Sequence, residues 1–247
     1  MNRKLHRLKY LILDSFSAAI AWVLFFSYRK EIVEPQLFGS DIPFLFNSQF
    51  WLGVVSITLF WLVIYFLTGY YKNVYRKSRL IELGQTLLQS FVGVLVIFFV
   101  AILDDFIPSY KNYYSSISIL FVLHFITTYI FRFVFTTHTV NKIHNRHIGF
   151  NTLIVGGSNS AVDMFKNLTE SKKSGGNLIV GFVNGMDENG YNLNEYIPYL
   201  GSYKDLRSVI KSNNIEEVLI AIEQSEQHQI LEDIINDLEG VDVLIKV

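Results

Sequence analysis

Four apolar runs, at positions 10–28, 50–69, 84–103 and 113–135, are each long enough to cross the hydrocarbon layer of a bilayer. Crossing takes about 20 residues at roughly 1.5 Å of rise per residue. Charged residues bound every run. Trp51, Tyr70, Tyr71, Tyr113 and Tyr114 stand at the run ends, where an interfacial aromatic belt is expected. After Asn151 the pattern shortens. Residues 152–155, 178–183, 218–222 and 241–247 are β-branched and read as strands buried on both faces. Between them Ala161, Met164, Phe165 and Leu168 repeat at helical spacing, as do Ile230, Leu231, Ile234, Ile235 and Leu238. Asp205, Leu206, Val209 and Ile210 predict a shorter helix, with Ser202 as its N-cap. Loops 171–176 and 185–190 are turn-rich and read as solvated. The predicted fold is a membrane α-helical bundle of four transmembrane helices over residues 1–147. An α/β Rossmann-like domain with a mainly parallel sheet follows at 148–247.

Charge changes this picture by giving it a direction. Up to Phe150 the chain carries 14 Lys/Arg against 7 Asp/Glu, and from Asn151 onward 7 against 15. The basic residues lie beside the apolar runs, so the lipid bilayer and its anionic headgroups are the expected partners, and nucleic acid is not. Arg3, Lys4, Arg7 and Lys9 precede the first run; Lys72, Arg76, Lys77 and Arg79 fill the second loop; Lys142 and Arg146 follow the last run. The first loop offsets Arg29 and Lys30 with Glu31, Glu34 and Asp41. An even number of spans with this bias predicts both termini in the cytoplasm. No cleavage pattern follows the first run, which reads as a retained anchor. The chain has no cysteine, which removes disulfides, thiolate chemistry and Cys-ligated metal.

Two ionisable residues fall inside the runs. Asp14 lies about a turn into the first, and Arg132 about a turn from the end of the fourth. A charge at mid-membrane costs about 2.5–3.5 kcal/mol on insertion scales. Either the two pair at matching depth, or Arg132 snorkels to headgroup phosphates while Asp14 finds water or a hydroxyl. His124 reads as an interhelical hydrogen-bonding group. The nearest thing to a potassium filter is Thr68-Gly-Tyr-Tyr71 at a span end, which reads as interfacial composition.

The first strand–turn–helix is where a phosphate is expected, because helix amides and the helix dipole point at that loop. The dinucleotide fingerprint aligns with Gly156, Gly157, Ser158, Asn159, Ser160 and Ala161. Ser158 replaces the glycine that lets pyrophosphate approach the backbone, and Asn184 replaces the acidic residue expected after strand two. A nucleotide or nucleotide sugar at this turn is the candidate ligand; the alternative is a scaffold that keeps the fold without one. No Tyr-x-x-x-Lys, Gly-x-Ser-x-Gly or Walker lysine occurs. Asp187–Glu188 and Glu232–Asp233 read as solvated surface, and His138, His144 and His147 as a basic segment at the membrane surface. The residues supply no catalytic set and no metal site.

The stretch Gly69-Tyr-Tyr-Lys-Asn-Val-Tyr-Arg-Lys-Ser-Arg-Leu-Ile-Glu-Leu-Gly-Gln85 resembles the second cytoplasmic loop of bacterial polyprenyl-phosphate sugar-1-phosphate transferases. So do Ile148-Gly-Phe-Asn-Thr-Leu-Ile-Val-Gly-Gly157 at the domain junction and the ending Val243-Leu-Ile-Lys-Val247. The resemblance implies a four-span bundle and a Rossmann-like, CoA-binding-like domain as N-terminal accessories of a homo-oligomer. It also implies a later catalytic domain, with an Asp-Glu dyad and Mg, that transfers a hexose 1-phosphate from a nucleotide sugar to polyprenyl phosphate in exopolysaccharide, capsule or O-antigen synthesis. Nothing in these residues matches that domain, and an ending inside an apolar strand reads as cut short. Membrane-bound nucleotide-sugar 4,6-dehydratases have a similar N-terminal half. A stand-alone membrane regulator that binds a nucleotide or a partner is the third reading.

Overall fold

The computed structural model describes residues 3–35, 46–72, 76–102, 110–184, 192–222, 232 and 234–246. Several sequence expectations lie outside them: Asp41, the loop 185–190 with Asp187–Glu188, Ile230, Leu231, Asp233 and Val247, together with the side chain of Tyr113. The chain divides into two compact units, Met1–Val140 and Asn141–Val247.

The first unit is built from α1 (Arg3–Tyr28), α2 (Ser48–Leu67), α3 (Arg79–Ile97) and α4 (Tyr110–His144). Short π-helical turns, Arg29–Val33 and Phe98–Ile102, continue α1 and α3. Among the described residues, four helices are long and apolar enough to span a membrane. Caps fix two of the starts: Asn47 Oδ1 accepts from Phe50 N–H at 2.9 Å, and Ser78 Oγ accepts from Ile81 N–H at 3.2 Å. The cap at Ser78 places Glu82 inside α3, so the third helix begins before the expected position 84.

The bundle holds a polar cluster within a largely apolar interior, and its outer surface is apolar. Leu59, Phe66, Leu88 and Val134 are exposed, as suits a surface solvated by lipid tails. The interior carries Asp14, Glu82, Gln89, His124, Thr128, Arg132 and Thr136, all buried. Gly93 makes room for Trp61: a Cβ there would stand 2.3 Å from the indole ring. Trp61 stacks on His124 with ring centroids 3.5 Å apart, and His124 Nε2 meets Tyr65 Oη at 2.8 Å, an interhelical bond between α4 and α2.

Among the described residues, the second unit holds a five-stranded sheet in the order β3-β2-β1-β4-β5. Its strands are β1 (Phe150–Val155), β2 (Asn177–Asn184), β3 (Tyr199–Ser202), β4 (Glu217–Ile220) and β5 (Leu244–Lys246), and every pairing is parallel. The helices α5 (Asn159–Glu170) and α6 (Leu206–Ser212) pack on it. Period-two alternation sorts β1 between two cores. Leu153 and Val155 join Val183, Val218, Leu206, Val209, Ile234 and Leu238, while Ile154 joins Phe182, Ala161, Val162, Leu193 and Ile197. The sheet is thus covered on both faces, which is why its strands read as apolar runs.

The structure adds β3, a strand too short and too interrupted by Gly201 to read as one from its pattern. It also starts the last strand at Leu244, three residues later than its pattern suggests. Ser202 Oγ accepts from Lys204 N–H at 3.3 Å, capping a single 3-10 turn, Tyr203–Asp205, that leads into α6. The loop 171–176 is only partly solvated. Lys172 and Lys173 are exposed, but Ser174 is buried, and its N–H donates to the His144 carbonyl at 3.2 Å.

Candidate functional site

Two arrangements carry chemistry, one in each unit. In the α/β unit, β1 runs into the turn Gly156-Gly157-Ser158 and then into α5. Gly156 has φ +122°, and a Cβ on it would stand 2.2 Å from the Ala221 carbonyl oxygen. That glycine is therefore demanded by the backbone leaving β4, whatever ligand the turn holds. Gly156 N–H donates to the Val183 carbonyl at 2.9 Å, which sets the turn beside Asn184 at the end of β2.

Ser158 is the N-cap of α5, yet its Oγ makes no capping bond and is buried without a hydrogen-bond partner. Its carbonyl takes the Ala161 and Val162 amides at 3.0 and 3.2 Å. The amides of Asn159 and Ser160, at the first helical positions, have no acceptor within the helix. Asn159 Oδ1 accepts from Asn192 Nδ2 at 2.6 Å, so that side chain is held aside. The fingerprint residues Gly156, Gly157, Ser158, Asn159 and Ser160 thus form one turn with an uncommitted hydroxyl, and Asn184 ends the adjacent strand.

In the membrane unit the side chains of Asp14 and Arg132 meet. Arg132 Nε donates to Asp14 Oδ1 at 2.7 Å, with the two side chains 0% and 1% exposed. Arg132 Nη1 also donates to Thr86 Oγ1 and Gln89 Oε1, each at 3.1 Å. Its guanidinium carbon lies 4.2 Å from the Tyr65 ring centre and 3.7 Å from that of Tyr70. Tyr71 Oη donates to Asp14 Oδ2 at 2.8 Å. Tyr70 Oη donates to Glu82, and Thr136 Oγ1 donates to the same carboxylate at 3.0 Å. Lys77 is buried with its Nζ 2.8 Å from the Tyr70 ring centre.

Burial pushes the Tyr70 and Tyr71 hydroxyls well above their ordinary pKa, which keeps both as donors. Burial also pulls the Lys77 ammonium down from 10.5 to about 7; Glu82 opposes the shift and Arg132 adds to it. Tyr70 and Tyr71 are therefore not members of an interfacial belt. Their hydroxyls turn inward because two buried carboxylates need donors, and a tyrosine offers one on an apolar ring. Trp51 and Tyr114 are exposed, at 56% and 68%.

A family model described as a CoA-binding domain matches residues 53–246, from within α2 to the end of β5. The chain belongs to this CoA-binding domain family. No curated protein matches the chain. The matched stretch takes in most of α2, all of α3 and α4, and the α/β unit. Coenzyme A carries phosphates, and the turn fits that part of it. The Ser158 hydroxyl is buried without a partner in the protein, and the first turn of α5 presents its amides beside it, as a helix N-terminus does. Position 158 has a Cβ where the dinucleotide fingerprint has glycine, which obstructs close approach of a phosphate to the backbone there.

Sequence reasoning found Asp14 and Arg132 but missed Lys77, Glu82, Tyr70, Tyr71, Thr86, Gln89 and Thr136 as their companions. A signal was present. His124, Thr128, Arg132 and Thr136 recur every fourth residue along α4, and Glu82, Thr86, Gln89 and Gly93 every third or fourth along α3. Such stripes mark one helix face, and in a membrane helix a polar face turns to protein. Of the histidines near the end of α4, His138 and His147 are exposed and His144 is half-buried.

Proposed function

We propose that this chain is the membrane-anchoring, accessory half of a bacterial sugar transferase that moves a hexose 1-phosphate from a nucleotide sugar to polyprenyl phosphate. The observation that supports this reading best is the continuous CoA-binding family match through membrane helices and α/β unit together. On this reading residues 1–147 anchor the protein in the inner membrane and 148–247 form its cytoplasmic nucleotide-fold domain. Both are expected to work as a homo-oligomer beside a separate catalytic domain. The basic residues at the start of α1, in the α2–α3 connection and after α4 support that orientation.

The turn at Gly156–Ser160 is the ligand site of this proposal. Ser158 Oγ and the amides of Asn159 and Ser160 bind the phosphates, and Asn184 offers an amide beside them. When bound, coenzyme A supplies an acyl-carrying thiol; the residues of this turn only bind and orient its phosphate end. A nucleotide sugar presents the same pyrophosphate chemistry, and the site then reports substrate supply to the transferase.

The test is an assay of the purified full chain in nanodiscs with nucleotide sugar and polyprenyl phosphate. No release of nucleoside monophosphate is expected, and turnover would refute the accessory role. Reading the gene past the Val247 codon decides the parent protein. A re-entrant helix with an Asp-Glu dyad is the expected result. A Tyr-x-x-x-Lys domain would make the parent a nucleotide-sugar dehydratase, and a stop codon would make the chain a stand-alone regulator.

A further inference from the structure

The buried charges of the bundle are unevenly satisfied. The two carboxylates are supplied with donors: Asp14 takes Arg132 Nε and Tyr71 Oη, and Glu82 takes Tyr70 Oη and Thr136 Oγ1. The two cations are short of acceptors. Arg132 Nη2 and Lys77 Nζ are buried with no hydrogen-bond partner, and their residues are 0% and 7% exposed. Both cations lie against the same Tyr70 ring, the guanidinium carbon 3.7 Å and the ammonium nitrogen 2.8 Å from its centre. An aromatic face attracts a cation but does not replace a hydrogen-bond acceptor. Unpaired buried donors of this kind are rare and point to a group that accepts from them.

We propose that Arg132 and Lys77 form a binding site for a phosphate oxyanion at the basic end of the bundle. A phosphate offers several acceptor oxygens with negative charge, which suits a guanidinium edge next to an ammonium. The charge of the surroundings favours an anion over a cation. Asp14 and Glu82 offset the two buried cations, and Arg7, Lys72, Arg76 and Arg79 add positive charge at the same end. That end is assembled by contact: Arg7 Nη2 donates to the Lys72 carbonyl at 3.3 Å, and Tyr71 reaches Asp14. The phosphate is the headgroup of an anionic lipid or a soluble phosphate; the chemistry is common to both. The site does not depend on the transferase reading.

Proton linkage gives the site a second signature. The groups facing Lys77 Nζ are Asp14, Glu82, Arg132, Tyr10 and Tyr70. Without an anion, burial lowers the Lys77 pKa to about 7, so the amine is about half protonated at that pH. An oxyanion raises that pKa, so binding takes up a proton and weakens as pH rises from about 7 to about 8.5.

The experiment measures thermal unfolding of the full chain, first in phosphatidylcholine nanodiscs with added inorganic phosphate, then in nanodiscs containing phosphatidylglycerol. A rise in midpoint of several degrees in one arm is expected for the wild type. A response to inorganic phosphate assigns a soluble ligand, and a response to phosphatidylglycerol alone assigns a lipid headgroup. Lys77→Met removes the response while remaining folded in phosphatidylcholine. Lys77→Arg keeps it, and so does Lys211→Gln, which removes an exposed charge from the α/β unit. The response shrinks at the higher pH. No response in either arm, or an undiminished one in Lys77→Met, would overturn the site and leave a cluster that holds water alone.

Discussion

Replacing Asp14 by alanine is the sharpest test of what holds the bundle together. Its carboxylate takes Arg132 Nε at 2.7 Å and Tyr71 Oη at 2.8 Å, both inside the protein. Alanine leaves a guanidinium that is 0% exposed without its counter-charge and a tyrosine hydroxyl without an acceptor. Breaking a buried pair by removing one partner destabilises by about 3–5 kcal/mol. Arg132 keeps Thr86 and Gln89 and its place against two tyrosine rings, so the lower half of that range is expected. Asp14→Asn preserves an acceptor oxygen and removes only charge, so it is milder, at about 1–2 kcal/mol, the difference between charge-assisted and neutral hydrogen bonds. The double variant Asp14→Ala with Arg132→Met has no orphaned charge. It should be more stable than the sum of the two single losses by about 2 kcal/mol or more. Denaturant or thermal unfolding of the full chain in detergent micelles, run as a double-mutant cycle, reads this coupling. Additivity of the two single effects would refute the reasoning, because it would mean that Asp14 and Arg132 act independently.

Other outcomes follow from the same structure. Gly93→Ala drives a methyl group into Trp61, with a Cβ at 2.3 Å from its ring, and should lower bundle stability by about 1–3 kcal/mol; an unchanged unfolding midpoint would show that Trp61 moves aside freely. The Lys77 pKa lies below its unfolded value, falling from 10.5 to about 7, so the folded state binds fewer protons. In ligand-free micelles, stability should be flat below pH about 7 and rise by up to about 1.4 kcal/mol per unit from there towards 10.5, and Lys77→Met should abolish that slope. Gly156→Ala meets the Ala221 carbonyl at 2.2 Å at a positive φ and should destabilise the α/β unit by roughly 2 kcal/mol or more. Ser158→Ala removes a hydroxyl that bonds nothing in the protein, so stability should change by less than about 1 kcal/mol. Calorimetry with coenzyme A or a nucleotide sugar should show that it nevertheless abolishes phosphate binding.

Much of the architecture is legible in the chain because burial from two different solvents writes two different patterns. Lipid demands runs of about 20 apolar residues, and a sheet covered on both faces demands short β-branched ones. The four helices and strands β1, β2 and β4 follow from that alone. β3 does not, since Tyr199–Ser202 is held by pairing with β2 and has too little apolar pattern of its own.

The turn Gly156–Ser160 is legible as a strand–turn–helix. That Gly156 answers to Ala221 is not, because the two meet only when β4 lies beside β1. The membrane cluster divides in the same way. The sequence determines that Asp14 and Arg132 lie within spans, and the fourfold spacing of His124, Thr128, Arg132 and Thr136 puts them on one helical face. Which carboxylate meets the arginine, which tyrosines turn inward and which donors stay unmet depend on helices far apart in the chain packing side by side. Only the tertiary structure decides those, because hydrogen bonds across a bundle are fixed by helix rotation and depth, and neither is encoded by spacing within one helix.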